Sequence, residues 1–173
     1  MALTPQQLIT LRAACFADPA SAAFFVEPGN AAGLQARLNG DSSPEFSVWR
    51  ESVTQDEIMQ NGFDWVRVDN LSVGKARIWE WLFNNASRSM NPSKPNVRAG
   101  IDECWKGTAA DLAVRAAVYG HCRRAATVAE KVFATGVGTA ENPAVAGWSG
   151  NVNSVEAALL IYKDDGTIWT AQG

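Results

Sequence analysis

Apolar and polar positions follow one another along this chain mostly with a helical period, cut into short pieces by proline, glycine and asparagine. Thr4-Pro5-Gln6-Gln7 places a capping threonine, a proline at the first helical position and a glutamine three residues after the cap, which is how a helix start reads. Leu8, Leu11, Ala14 and Cys15 then share a face until Asp18-Pro19. Residues 20–26 predict a second short helix, broken by Pro28-Gly29; Asn30 caps a third, with Leu34 and Leu38 four apart and Asn39-Gly40 closing it. Ser42-Ser43-Pro44 reads as a loop. Thr54-Gln55-Asp56-Glu57 is a second capping box, for a helix carrying Ile58 and Met59 and stopped by Gly62. Asp64-Trp65-Val66-Arg67-Val68 alternates like a short strand. From Ser72, the spacing of Ile78, Trp79, Leu82 and Phe83 predicts an amphipathic helix ending near Asn84-Asn85. After a proline-containing loop over 87–95, residues 96–105 predict a further short helix, halted by Gly107.

Thr108, with Asp111 three residues on, opens what the pattern predicts as the longest element. Leu112, Ala116, Tyr119, Ala126, Ala129 and Phe133 follow one face at three- and four-residue steps, which would make about 40 Å of helix. Gly120 in its middle costs about 1 kcal/mol relative to alanine, and so predicts a close helix contact or a bend. Gly136 and Gly138 supply the stop. Beyond them the character changes: Asn142-Pro143 and Gly150-Asn151 are turns, and residues 144–148 are extended. Residues 159–163 and 166–170 flank Asp164-Asp165-Gly166 like a β-hairpin. Residues 155–159 fit a helical turn after Ser154 equally well. The expected fold is mainly α (α+β): a helical bundle with one long helix and a C-terminal extended or β-hairpin arm. One domain spans 1–173, with a helical core over about 1–136 and the arm over 137–173.

Composition changes little in this picture. At 173 residues, 47% apolar and 19% charged, the chain is ordinary and long enough to bury a core. A net charge of −3 gives no global pull toward nucleic acid or an anionic membrane. No apolar run approaches the ~20 residues of a membrane span, and the first residues lack a signal-peptide layout, so synthesis in the cytoplasm is expected. Cys15, Cys104 and Cys122 are widely spaced and form no CxxC pair; they read as small buried thiols. The seven tryptophans divide between two expected roles, core anchors and contacts with a partner subunit.

Candidate chemistry is thin. His121 stands beside Cys122, but neighbouring helical residues diverge by about 100° and do not face one another. Asp102-Glu103 diverge in the same way, and Asp164-Asp165 is turn chemistry. Gly136-Val137-Gly138 follows a helix instead of opening one, so it is not a phosphate loop. No pattern calls for a metal, a cofactor or an enzyme's nucleophile. The basic residues carry more. Arg115, Arg123, Arg124 and Lys131 fall along the expected long helix. Helical angles set Arg115 about 80°, and Arg124 about 100°, from Arg123, so they form a broad face suited to subunit ion pairs or to DNA phosphate. Gly120 is the candidate close-contact position on that helix. Trp148, Tyr162 and Trp169 are the candidate interface anchors on the arm.

Three segments together resemble a family of small proteins encoded in the structural-gene blocks of tailed bacteriophages and prophages. They are Ser43-Pro44-Glu45-Phe46-Ser47-Val48-Trp49-Arg50-Glu51-Ser52-Val53-Thr54-Gln55-Asp56-Glu57-Ile58, then Asn91-Pro92-Ser93-Lys94-Pro95-Asn96-Val97-Arg98, and residues 125–139 with Asn142-Pro143-Ala144 after them. The resemblance covers most of residues 3–150; the chain departs from the pattern by its longer end after Val155. It implies a virion structural protein of the neck, similar to the head-to-tail adaptors that form a twelve-copy ring. The implied partners are other copies of the chain, the portal, a tail or nozzle protein, and double-stranded DNA passing through the channel, with no membrane. A capsid cement or decoration protein, or a tail component, is the alternative within that class. A small cytosolic helical binding module is the alternative outside it.

Overall fold

The computed structural model describes residues 2–60 and 63–171. Its helices are α1 (Pro5–Ala17), α2 (Pro19–Ala22) with a 3₁₀ turn (Ala23–Phe25), α3 (Ala31–Asn39), α4 (Gln55–Met59), α5 (Trp65–Asp69), α6 (Val73–Leu82), α7 (Pro95–Cys104), α8 (Ala109–His121), α9 (Val128–Phe133) and α10 (Ser154–Ile161). Strand β1 (Ser47–Trp49) pairs with β4 (Arg123–Ala125). Strand β2 (Val53–Thr54) pairs antiparallel with β3 (Ser89–Met90), Val53 opposite Met90. About half of the chain is helical, which agrees with the mainly α or α+β class; the two small β pairs fall where the pattern gave no strand. Gly62, expected to stop α4, lies outside the described residues.

Three of the expected elements need correction. The single long helix does not form: α8 ends at His121, and residues 123–125 are extended and paired. A new helix then starts at Thr127. The Thr127 hydroxyl accepts from the Glu130 N–H (3.2 Å) and the Glu130 carboxylate accepts from the Thr127 N–H (3.1 Å), a reciprocal cap that begins a helix and does not continue one. Second, residues 65–69 are helical, because the Asp64 carboxylate accepts from the Val66 N–H at 3.1 Å and caps α5. Third, residues 159–161 belong to α10, opened by a reciprocal Asn153–Glu156 cap. Of the expected hairpin, the tip is present: Tyr162 bridges Ile168, the Lys163 N–H donates to Thr167 O (2.7 Å) and the Trp169 N–H to Ile161 O (2.9 Å).

The chain divides into two compact units, Met1–Phe46 with Ala125–Gly173, and Ser47–Arg124. In the first unit α1 packs on α10 and α9, and α3 on α10 and α9. Leu11, Leu34, Leu38, Ala129 and Leu160 are fully buried there. The expected C-terminal arm is therefore core: Trp148, Val152, Ala157 and Ile161 sit in the same cluster, with Trp148 edge-on to Phe133 at 6.0 Å. In the second unit α6 packs on α7 and α4 on α8. Its core is aromatic, with Trp79 edge-on to Trp105 (5.4 Å) and to Phe83 (5.2 Å) around Ile58, Ile101 and Val118.

The glycine tail is a turn shaped around Phe46. Gly138 has φ +78°, and a Cβ there would lie 2.1 Å from the Phe46 ring. A Cβ at Gly120 would meet nothing within 4 Å beyond its own helix, so among the described residues no close helix approach requires glycine there. Opposite outcomes follow for one substitution. Gly138→Ala should lower unfolding stability by about 1–3 kcal/mol, whereas Gly120→Ala should raise it by about 0.5–1 kcal/mol; urea unfolding of the two variants checks both signs.

The Thr54 cap of α4 also carries charge. The Glu57 carboxylate accepts from the Thr54 N–H (2.7 Å) and from Arg50 Nη2 (2.7 Å). These bonds, the Thr54 N–H first, lower its pKa from 4.5 to about 2. A folded-state pKa below the unfolded one means that this contribution is full above pH 4.5 and fades as pH falls toward 2. Glu57→Gln keeps a capping side chain but cannot titrate. Its stability deficit against the natural chain should shrink between pH 4.5 and 2; a pH-independent deficit in urea midpoints contradicts the linkage.

Candidate functional site

The surface that stands out lies in the first unit, along α1, the end of α10 and the turn after it. Ile9 on α1 is 55% exposed, and Val155 and Leu159, one turn apart on α10, are 67% and 44% exposed. Each helix has a buried face already (Leu11 and Cys15; Ala157, Leu160 and Ile161), so these side chains are surplus to the core. Ile9, Leu8, Leu159, Tyr162 and Trp169 line a groove of about 540 Å³. Arg12, Lys163, Asp164 and Asp165 complete its rim with both signs of charge.

Arg12 holds the groove together. Its Nη2 donates to Leu159 O (2.7 Å) and its Nε to Leu160 O (3.1 Å), carbonyls that the last turn of α10 leaves without helical donors. The same guanidinium lies 4.0 Å from the Trp169 ring centroid, with Lys163 on that ring at 5.2 Å. Trp169 Nε1 donates to Tyr162 O (3.1 Å), and the Tyr162 hydroxyl donates to Pro28 O (3.0 Å). Asp165 accepts from the Thr167 N–H at 2.9 Å, the turn role expected of it. Two of the three expected anchors, Tyr162 and Trp169, therefore share one surface. The third, Trp148, is 3% exposed and belongs to the core.

The expected basic face is dispersed. Arg115 is on α8, where its Nη1 reaches Asp102 Oδ1 at 3.4 Å. Asp102 also accepts from the Tyr119 hydroxyl (2.9 Å); burial first and that carboxylate second raise the tyrosine's pKa. Arg123 and Arg124 lie on β4, each with partners of its own. Lys131 is on α9, 5.5 Å from the Phe46 ring. Four residues on three elements do not make a helix face. On the second unit, Trp81 of α6 is 66% exposed. Sequence reasoning passed over Ile9, Arg12, Trp81 and Leu159. The legible signal was apolar residues off the core stripe: Ile9 beside Leu8, and Val155 and Leu159 four apart.

Reactive chemistry is sparse. All three cysteines are buried and free, and burial is the main cause that pushes the Cys15 and Cys122 thiols up to about 12 and the Cys104 thiol to about 11, so they stay protonated. Among the described residues no three His, Cys, Asp or Glu side chains converge on a metal site, and no single helix is long and apolar enough to cross a membrane. No family model, curated protein or solved structure matches the chain.

Arg12→Ala removes two carbonyl bonds and the ring contact, and should cost about 1–2 kcal/mol. Arg12→Lys keeps the charge without the planar fork and should recover less than half of that loss. Denaturant unfolding followed by tryptophan fluorescence measures both.

Proposed function

We propose that the chain is a structural subunit of a tailed-phage particle, most specifically a head-to-tail adaptor that assembles as a ring and leaves a channel for DNA. The class rests on the resemblance in residues 43–58, 91–98 and 125–139 with 142–144. The observation that carries an assembly role is the groove: exposed Ile9 and Leu159 beside Tyr162 and Trp169, with exposed Val155 one turn before Leu159 on α10, on a unit whose core is already filled. Solvent-exposed apolar side chains gathered on one surface mark contacts with a partner.

The partner in this reading is another copy. Trp81, 66% exposed and flanked by Glu80 and Arg88 around a polar hollow, is a knob of the size and charge that the groove and its mixed rim accept. Groove and knob are different surfaces, so the contact is head-to-tail, the kind that gives a ring when its rotation closes. The portal and a tail protein would meet the ring's two faces. The work is done by buried interface area, with no turnover.

Copy number per particle and one variant test this. The adaptor reading expects about twelve copies at the neck, and hundreds of copies on the shell would make the chain a decoration protein instead. Leu159→Asp, at a half-exposed position, should fold normally yet enter particles at least ~10-fold less. Undiminished incorporation would remove the groove from the mechanism.

A further inference from the structure

A cavity of about 460 Å³ opens in the first unit between α1, α3 and α9, within the roughly 300–1,000 Å³ typical of small-ligand pockets. Leu11, Cys15, Leu38, Val128 and Val132 make one wall apolar. Cys15 stays a neutral thiol, so no thiolate stands there.

The polar side divides into a satisfied part and an unsatisfied part. Arg37 Nη2 donates to Asp18 Oδ2 (2.7 Å), Ser21 Oγ donates to the same oxygen (2.6 Å), and Arg37 Nε donates to Ser21 Oγ (3.1 Å). This cluster is neutral overall and internally bonded. The remaining polar groups are not. Ser42 is 8% exposed, and its hydroxyl has no hydrogen-bond partner among the described residues. Lys131, on the same cavity, forms no ion pair among the described residues, and its Nζ lies 5.5 Å from the Phe46 ring centroid. A buried hydroxyl left without a partner is uncommon in folded proteins, and its usual explanation is a bound group or ordered water.

We propose that this cavity binds a small monocarboxylate with an apolar body, its carboxylate on Lys131 Nζ and Ser42 Oγ and its hydrocarbon against Leu11, Leu38 and Val132. The unpaired Lys131 ammonium and the buried, unpartnered Ser42 hydroxyl match a singly charged acceptor. A phosphate dianion would bring its second charge against Asp18 with no second cation to meet it, since Arg37 is already paired. An uncharged amphiphile would leave the ammonium unmatched. The same chemistry is offered by a free carboxylic acid and by the C-terminus of a polypeptide ending in an apolar residue.

The test is calorimetric titration of the full chain with sodium octanoate, octan-1-ol and N-acetyl-Ala-Leu. Octanoate should bind one to one. Lys131→Met should weaken it about tenfold or more, and should leave octan-1-ol binding unchanged. Ser42→Ala should weaken octanoate several-fold while the ligand-free melting temperature holds or rises, because the substitution removes an unpaired buried hydroxyl; this separates lost binding from lost folding. Tighter binding of the dipeptide than of octanoate assigns the carboxylate to a polypeptide end, and weaker binding assigns it to a free acid. No saturable octanoate binding, or equal octanoate binding by Lys131→Met, overturns the proposal.

Discussion

Glu156 joins the two ends of the described chain. It is 6% exposed, and it accepts from the Leu3 N–H (2.6 Å) at one oxygen and from the Asn153 N–H (2.9 Å) at the other. A buried carboxylate is costly unless its oxygens are hydrogen-bonded, and bonds to backbone N–H groups are among the stronger kinds. The pair of bonds fixes the entry to α1 against the entry to α10. Arg12 fixes the other end, through the carbonyls of Leu159 and Leu160. Between those two ties lie the α1–α10 contact, the core around Leu11 and Leu160, and the exposed groove.

That dependence reflects the shortness of the elements. The longest helices among the described residues have 13 residues, near the lower limit at which an isolated helix persists in water, about 12–15 residues. Reciprocal caps at Thr4, Thr54, Thr108, Thr127 and Asn153 start five of them. Burial in one of two cores finishes the task. The first core is largely aliphatic, and the second is built on Trp79, Trp105 and Phe83. Neither core gathers acid, base and nucleophile. On the first unit, Ile9, Val155 and Leu159 stand exposed to solvent.

Much of this was legible in the sequence where a local signal had no competitor. The starts at Thr4, Asn30, Thr54, Ser72 and Thr108 lie where their capping side chains put them, since a cap needs only the next three residues. The errors fall where two signals overlapped. Thr127-Val128-Ala129-Glu130 carries a cap, but apolar spacing runs through it unbroken, so periodicity suggested continuity. The pairing of Arg123–Ala125 with β1 is a long-range contact that no window reveals. At 159–161, β-favouring residues concealed a helix whose cap, Asn153 with Glu156, lies upstream. The groove was half legible: Tyr162 and Trp169 came from residue type alone. Arg12 and Leu159 required knowing that α1 and α10 are neighbours.

The assembly reading thus stands on a surface that exists only while α10 is docked on α1. Native-state hydrogen exchange on the intact chain tests that directly, by following the Leu3 and Asn153 amides and the amides of α1 and α10 in the natural chain and in Glu156→Gln. The account predicts that both capping amides exchange slowly in the natural chain. It predicts that Glu156→Gln speeds exchange in α1 and α10 together and leaves the amides of α6 and α7 in the second unit unchanged. Fast exchange at Leu3 and Asn153 in the natural chain, or an effect of Glu156→Gln confined to one of the two helices, would contradict it.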